Sequence, residues 1–375
     1  MLGHLRFPVA SSRGRRYPEP EHRYRNAFQR DRDRIIHARA FRRLEAKTQV
    51  FTPGISDHFR NRLTHTIEVS QIARTVASVL QLDEDLTEAL ALVHDVGHPP
   101  FAHAGEEELN AQMNRFGQRF DHNIQALRII ESFERRYARF PGLNLTFEVR
   151  EGVAKHSRDF GKGEIPELDE YLPGLRPPLE AQLIDRADEI AYDSADLDDA
   201  FSAQLFNAED IARAVAAYAE IYEAVETQFP GASESERFQE ALRQLIDSLV
   251  SSLIEGTVAS AQSSGVRTAE EVRHFPTRLA AFTPEAAEAT RELKRFLHAR
   301  VYNSGVLEED RRRSTAMIRE LFQYFVTQPS RLPEPYAERA LRRAPERVVC
   351  DYIAAMTDVY FRRTYAHIFA TPLPK

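Results

Sequence analysis

A chain of 375 residues can bury a real core, as one large helical domain or two modest ones, and its net charge of -7 excludes a global basic field that would draw it onto nucleic acid. The sole cysteine, Cys350, excludes an intrachain disulfide and suits a reducing compartment. Met1–Pro18 has no apolar signal-peptide core, and no stretch approaches the ~20 apolar residues of a membrane span, so a soluble, cytoplasmic protein without a membrane partner is expected.

Residues 1 to 20 are rich in Pro, Gly and Arg and predict an arm, either mobile or extended and pinned by the fold. Arginine recurs from Arg13 to Arg43, most densely in Arg30-Asp31-Arg32-Asp33-Arg34. The alternating signs fit a salt-bridged solvated helix, and the guanidinium fork equally fits a patch that reaches phosphates. Ala38 to Leu44 continues this helix, and Thr52-Pro53-Gly54 breaks it. Arg60 to Leu80 is the next helix, with His65, Val69 and Ile72 on one stripe. Asp83-Glu84-Asp85 then opens a helix whose apolar face is Leu86, Leu90 and Val93. It runs into His94 and Asp95, where Gly97 and Pro99-Pro100 stop it.

Ala104 to Met113 is a short helix carrying Glu106, and Asp121 to Phe133 a longer one. Phe140-Pro141-Gly142 is a turn, with room for a short hairpin over Phe140 to Thr146, and a helix runs from Thr146 to His156. Ser157 to Pro178, punctuated by Gly and Pro, is a long loop of the kind that borders sites. Helices over Leu179–Ala200, Asp210–Phe229, Ser235–Ala261, Thr283–Tyr302, Ser314–Val326 and Pro345–Phe369 complete an all-α chain. The expected organisation is an arm over residues 1–25, a catalytic core over 26–205, and a C-terminal helical region over 206–375 packed on that core.

Neighbouring helix residues point about 100° apart, so His94 and Asp95 can share an ion only near the end of their helix. That is where Gly97 and the prolines put them. Imidazole nitrogen with carboxylate oxygen suits Zn, Fe or Mn better than Ca. Alone, the pair also fits a satisfied buried histidine or a cap. In Leu179–Ala200, Ile184, Asp188, Tyr192 and Ala195 share one stripe, and Asp196 widens its polar part. A carboxylate on a packed face needs a partner, either an arginine such as Arg186 or a metal. His65 likewise reads as a core histidine or as a ligand. Together, His65, His94, Asp95 and Asp188 would supply two imidazoles and two carboxylates, leaving octahedral positions for water or a phosphate oxygen.

His…His-Asp…Asp in this order is the signature of the HD-domain phosphohydrolases, and longer words narrow the resemblance. FQRDRDRIIHARAFRRLEAKTQVF (Phe28–Phe51), RLTHTIEV (Arg62–Val69), HDVGHPPFAHAGE (His94–Glu106), FDHNIQALRI (Phe120–Ile129), DEIAYDSADLDDA (Asp188–Ala200) and DYIAAMTDVYF within Val349–Phe369 are similar to bacterial deoxyguanosinetriphosphate triphosphohydrolase-like proteins. The resemblance runs from about residue 13 to the C-terminus and is weakest over Ala203–Ala344.

It implies an HD-domain helical core and hydrolysis of dGTP, or of dNTPs in general, at the α-phosphorus to deoxynucleoside and inorganic triphosphate. By the same resemblance His65, His94, Asp95 and Asp188 are ligands to one divalent ion (Mn, Mg, Fe, Ni or Zn), His103 is the catalytic histidine, and Glu106 is its carboxylate partner. Tyr192 packs on the sugar, Gln49 and Asp196 bind the 3′-hydroxyl, and Arg62 and, more loosely, the Lys155-His156 pair meet the phosphates. A dimer or hexamer, a dNTP activator and single-stranded DNA are the implied partners beyond substrate.

The chemistry agrees, since a triphosphate ester needs cationic forks beside a metal, and its 5′-alkoxide needs a proton that a histidine can give. His98 and His122 fit either phosphate contacts or simple packing. Arg186 and Ala195 depart from the family's usual wording without removing a ligand. Two other classes remain open: an HD-domain 5′-nucleotidase or nucleotide phosphodiesterase, and a nucleotide-sensing or single-strand nucleic-acid-binding protein.

Overall fold

The structure, a computed structural model, describes residues 1–50 and 59–369, apart from the side chain of Val306; the break expected at Thr52-Pro53-Gly54 lies outside them. In chain order the helices are α1 Ala27–Ile36, α2 Arg39–Arg43, α3 Arg62–Leu80, α4 Glu84–Val93, α5 Ala102–Asn114, α6 His122–Arg128, α7 Phe147–Ala154, α8 Leu179–Ser202 and α9 Ala208–Ala214. They continue as α10 Ala216–Gln228, α11 Glu234–Ser264, α12 Ala269–His274, α13 Pro284–Leu297, α14 Gly305–Thr327, α15 Tyr336–Ala340, α16 Pro345–Ala354 and α17 Asp358–Phe369. The fold is all-α, and among the described residues only two isolated bridges, Arg15–Thr146 and Thr48–Asn61, have β geometry. No helix of the described residues is long and apolar enough to cross a membrane.

The hairpin expected over Phe140–Thr146 does not form. Leu143 donates its amide to the Ile130 carbonyl at 2.6 Å, and Thr146 bridges to Arg15 instead. Three helices expected to be continuous are broken, each where a side chain offers the backbone another partner. Before α2, Ala38 is extended, and the Ala40 amide donates to Glu134 at 2.7 Å. Val215 is extended between α9 and α10, and the Ala216 amide donates to Glu292 at 3.0 Å. The closing helix stops at Ala354, and α17 begins afresh with the Thr357 hydroxyl accepting the Tyr360 amide at 3.2 Å.

The chain forms two compact units. One comprises Met1–Ile36, His65–Val93 and Asn144–Ser304, the other His37–Thr64, His94–Leu143 and Gly305–Lys375. In the first, α4 packs on α1, α7 and α8, while α11 covers α8. The N-terminal arm is pinned, since Leu2, Leu5 and Phe7 are buried and the Phe7 amide donates to Glu180 at 2.9 Å. Its arginines are largely committed inside the protein. Arg15 bonds Asp31 and the Ala27 carbonyl, and Arg34 bonds Glu19 at 2.7 Å and the Asn144 carbonyl at 3.1 Å. The second unit has a core in which Leu109 and Met113 of α5 meet Ile318, Leu321 and Phe322 of α14, together with Val349 and Ile353 of α16.

Candidate active site

In the first unit the site is built on α8. Asp188 and Tyr192 are one turn apart, as the apolar spacing of Leu183, Ala187, Ile190 and Ala191 fixes the helix's buried side. Asp188 Oδ1 lies 2.8 Å from Nε2 of His65, whose side chain is 1% exposed while that of Asp188 is 27% exposed. Behind them His156 of the α7 C-terminus places Nδ1 2.8 Å from Asp185 and Nε2 3.7 Å from Asp188. Burial opposes the charge on His156, but these two carboxylates push its pKa up to about 10. Arg278 grips the opposite face of Asp185.

Further along α8, Tyr192 sits edge-on to His65, with ring centroids 6.3 Å apart, and equally far from Tyr302. Tyr302 closes the π-helical turn His298–Tyr302 and donates its hydroxyl to Asp196. Burial, with Asp193 and Asp199 nearby, holds the Asp196 carboxyl well above the usual range. Tyr302 is a site residue that the sequence reading missed; its one signal is an aromatic at the end of a helix otherwise read as packing. Lys155 is not available to phosphate. Its side chain is 0% exposed, and its ammonium donates to Glu151 at 2.8 Å and to the Leu172 and Leu175 carbonyls, both at 2.9 Å. Arg186 pairs with Glu189 at 2.7 Å and so is not the partner of Asp188.

In the second unit the turn after α4 carries His94, Asp95 and His98. A Cβ at Gly97 would overlap the His122 carbonyl, so glycine lets the start of α6 lie directly against this turn. Asp95 is buried and shared: Arg62 Nη1 is 2.7 Å from Oδ2, while His98 and His94 Nε2 lie 3.1 and 3.4 Å from Oδ1. Burial disfavours its charge, but His94, Arg62 and His98 hold its pKa well below the usual carboxylate range. Burial and the Arg62 charge keep His98 neutral, and its Nδ1 is buried with no hydrogen-bond partner among the described residues.

Glu106 hydrogen-bonds His122 and stands at longer range from His103. His122 Nδ1 lies 2.8 and 2.9 Å from the two Glu106 oxygens, and its amide donates to Glu106 at 3.0 Å. His103 stands 4.0 Å from Glu106 with 60% of its side chain exposed, its pKa lowered by desolvation and by Arg62. Burial would raise Glu106, yet His122 and His98 bring it to about 2. The His98 and His122 rings stack at 4.0 Å, and His98, Glu106 and His122 bring donor atoms within 4.8 Å of one another.

Backbone geometry aims this helix. Phe101 and Ala102, immediately ahead of His103, both adopt left-handed φ values of 64° and 54°, a conformation that costs roughly 1–2 kcal/mol per residue and so needs support. Phe101 receives it from Phe361, edge-on at 5.1 Å, and from Asp358, which accepts its amide at 3.2 Å. The other Asp358 oxygen accepts the Thr48 amide at 3.0 Å and thereby fixes the backbone next to Gln49. Gln49 is buried with its carbonyl oxygen unpartnered among the described residues. Lys47 donates to the His98 carbonyl, and burial with Arg62 nearby lowers its pKa to about 7.

Residues 62–193 match the HD domain family, and residues 280–367 match the phosphohydrolase-associated domain. A deoxyguanosinetriphosphate triphosphohydrolase-like protein of Geobacter sulfurreducens is 42% identical over 358 residues, spanning 96% of this chain and 92% of the relative. Relatives of the same description from Azoarcus sp. (strain BH72) and Caulobacter sp. (strain K31) are 44% and 43% identical, spanning 96% of this chain and 94% of theirs. The chain belongs to the dGTPase-like family of HD-domain phosphohydrolases.

For this family member the donor chemistry fits a metal ion. His65 Nε2 and Asp188 Oδ1, at 2.8 Å, are spaced as adjacent octahedral ligands about 3 Å apart would be with bonds near 2.1 Å. The mixed imidazole and carboxylate donors suit a transition metal or Mg rather than Ca. The chain is a metal-dependent phosphohydrolase by family and by donor set.

Proposed function

We propose that this protein hydrolyses deoxynucleoside triphosphates at the α-phosphorus, releasing a deoxynucleoside and inorganic triphosphate, with His65, His94, Asp95 and Asp188 holding one divalent ion. The observation that carries this reading is the wall on α8. A ligand-type carboxylate, Asp188, is followed one turn later by Tyr192, and Tyr302 on Asp196 closes the far side. Two rings and a carboxyl group beside a metal-type donor suit a sugar without a 2′-hydroxyl.

When bound, the ion supplies charge for a phosphoryl oxygen and acidity for a water. The chain's own groups do the rest. Water adds to the α-phosphorus, the bond to the 5′-oxygen breaks, and that oxygen takes a proton as it leaves. Glu106 holds His122 by Nδ1, leaving Nε2 for proton transfer, and exposed His103 is the second imidazole able to deliver a proton there. Arg62, fixed by Asp95, places a guanidinium for the phosphates. The Gln49 carbonyl, unpartnered among the described residues, accepts a hydrogen bond from the 3′-hydroxyl.

The test is chromatographic identification of products from each dNTP and NTP, alone and in pairs, with Mg or Mn. Deoxynucleoside with intact triphosphate is the expected pair. A monophosphate with pyrophosphate, or stepwise release of orthophosphate, would overturn the reading.

A further inference from the structure

Away from these residues, the second unit contains a cavity of about 420 Å³ between the π-helical turn Ile129–Phe133, α15 and the start of α16. Six guanidinium groups line it: Arg128, Arg135, Arg339, Arg342, Arg343 and Arg347. The lining contains one carboxylate, Asp351, shared by Arg128 at 3.3 Å and Arg347 at 4.0 Å. Arg342 pairs outside the cavity lining, with Glu338 at 2.8 Å. Arg135, Arg339 and Arg343 have no carboxylate at ion-pairing distance among the described residues. Like charges gathered this closely repel unless an anion is shared between them.

We propose that this cavity is a binding site for an oligophosphate, a linear anion of two or more phosphoryl groups, taken up either free or as the tail of a nucleotide. Guanidinium forks match phosphate oxygens bidentately, and the volume lies in the small-ligand range of roughly 300–1,000 Å³. The two aromatic rings of the lining do not serve a base. The Arg339 guanidinium already sits 5.8 Å from the Phe133 centroid and 5.5 Å from that of Tyr336. Charge is therefore recognised and the nucleobase is not. The inference does not depend on the catalytic reading, because none of these side chains belongs to that set.

The experiment is calorimetric titration of the full-length, EDTA-treated protein with inorganic triphosphate, dATP, dGTP, orthophosphate and deoxyguanosine. Wild type is compared with the double variant Arg339→Ser/Arg343→Ser, and with Arg243→Ser/Arg291→Ser as a control of equal charge on the exposed surface. The cavity variant is expected to lose one binding event, weakened about tenfold or more, for triphosphate and both nucleotides alike, while the control keeps it. Orthophosphate should bind about tenfold more weakly than triphosphate, and deoxyguanosine not at all. Equal nucleotide and triphosphate losses identify the shared phosphate tail as the ligand; a loss seen for triphosphate alone restricts the site to free oligophosphate. If the double variant does not fold, Arg135→Ser at the exposed rim must give a smaller loss in the same titrations. Unchanged binding in a folded cavity variant, absence of triphosphate binding in wild type, or a loss seen for one base only overturns the proposal.

Discussion

The two units treat their histidines differently. In the first, His65 and His156 stand beside Asp188 and Asp185, two imidazoles for two carboxylates, with Arg278 behind. In the second, His94 and His98 lie beside Asp95, which also pairs with Arg62, while His103 and His122 lie beside Glu106. Pairing with carboxylates fixes ring orientation, which is what a ligand support requires. The imidazoles of the second unit are graded in exposure, from the buried, neutral His98 to the exposed His103. The proposed proton transfer draws on the second arrangement and the proposed metal support on the first.

The largest effect should come from Asp95→Ala, which removes the carboxylate that Arg62, His94 and His98 share. Turnover should fall on the order of 10³-fold or more, with metal lost by elemental analysis. A variant that keeps both would collapse the contrast between the units. Next, His122→Ala and Glu106→Ala should each lower kcat by about 10²–10³-fold with metal retained, and the double variant should lose little more than either. His103→Ala should lower kcat as well, and its effect should combine more nearly multiplicatively with that of Glu106→Ala than His122→Ala does, because Glu106 hydrogen-bonds His122 at 2.8 Å and stands 4.0 Å from His103. Single-turnover rates on metal-loaded variants decide which imidazole Glu106 serves.

The paired side is tested through stability. The folded pKa of His156, about 10, lies above its unfolded value near 6.5, so its contribution is complete below pH 6.5 and disappears as pH rises through 10. In metal-free protein, His156→Gln should cost about 3 kcal/mol at pH 6, and the loss should shrink toward pH 10. Urea melts at several pH values measure this, and a constant cost would mean the pairing with Asp185 is not electrostatic. The smallest effect should be that of Tyr192→Ala on sugar selection, narrowing the dNTP-to-NTP ratio of kcat/KM by roughly tenfold for one base. An unchanged ratio would leave Tyr302 as the residue that reads the ribose.

Much of this was legible in the residues, because periodicity reports which side of a helix is buried. The α8 stripe places Asp188, Tyr192 and Asp196 on one helix, and Gly97 with Pro99-Pro100 marks the turn holding His94 and Asp95. What was not legible depends on partners distant in sequence. Spacing of i, i+3 puts His103 4.0 Å from Glu106, but the hydrogen-bond partner His122 comes from the next helix, delivered there by the close approach at Gly97. The arginines from Arg13 to Arg43 look alike in sequence, and only tertiary contacts show that Arg15 and Arg34 are tied to Asp31 and Glu19. Lys155 reads as a cation free for phosphate until the Leu172 and Leu175 carbonyls come back to it. Helix breaks at Val215 and Ala355–Thr357 escape notice because neither segment contains glycine or proline.

Asp358 also bears on how the protein is made. One of its oxygens anchors the backbone beside Gln49 and the other the entry to α5, segments synthesised some 310 and 257 residues earlier. A ribosome has displayed every proposed metal ligand and every histidine of the candidate site long before it reaches this aspartate. Until then both segments lack their anchor, and the left-handed backbone at Phe101 lacks the Phe361 ring that supports it. Unfinished or prematurely stopped chains therefore carry the reactive residues without their geometry. The two anchors therefore form only after Asp358 has been synthesised.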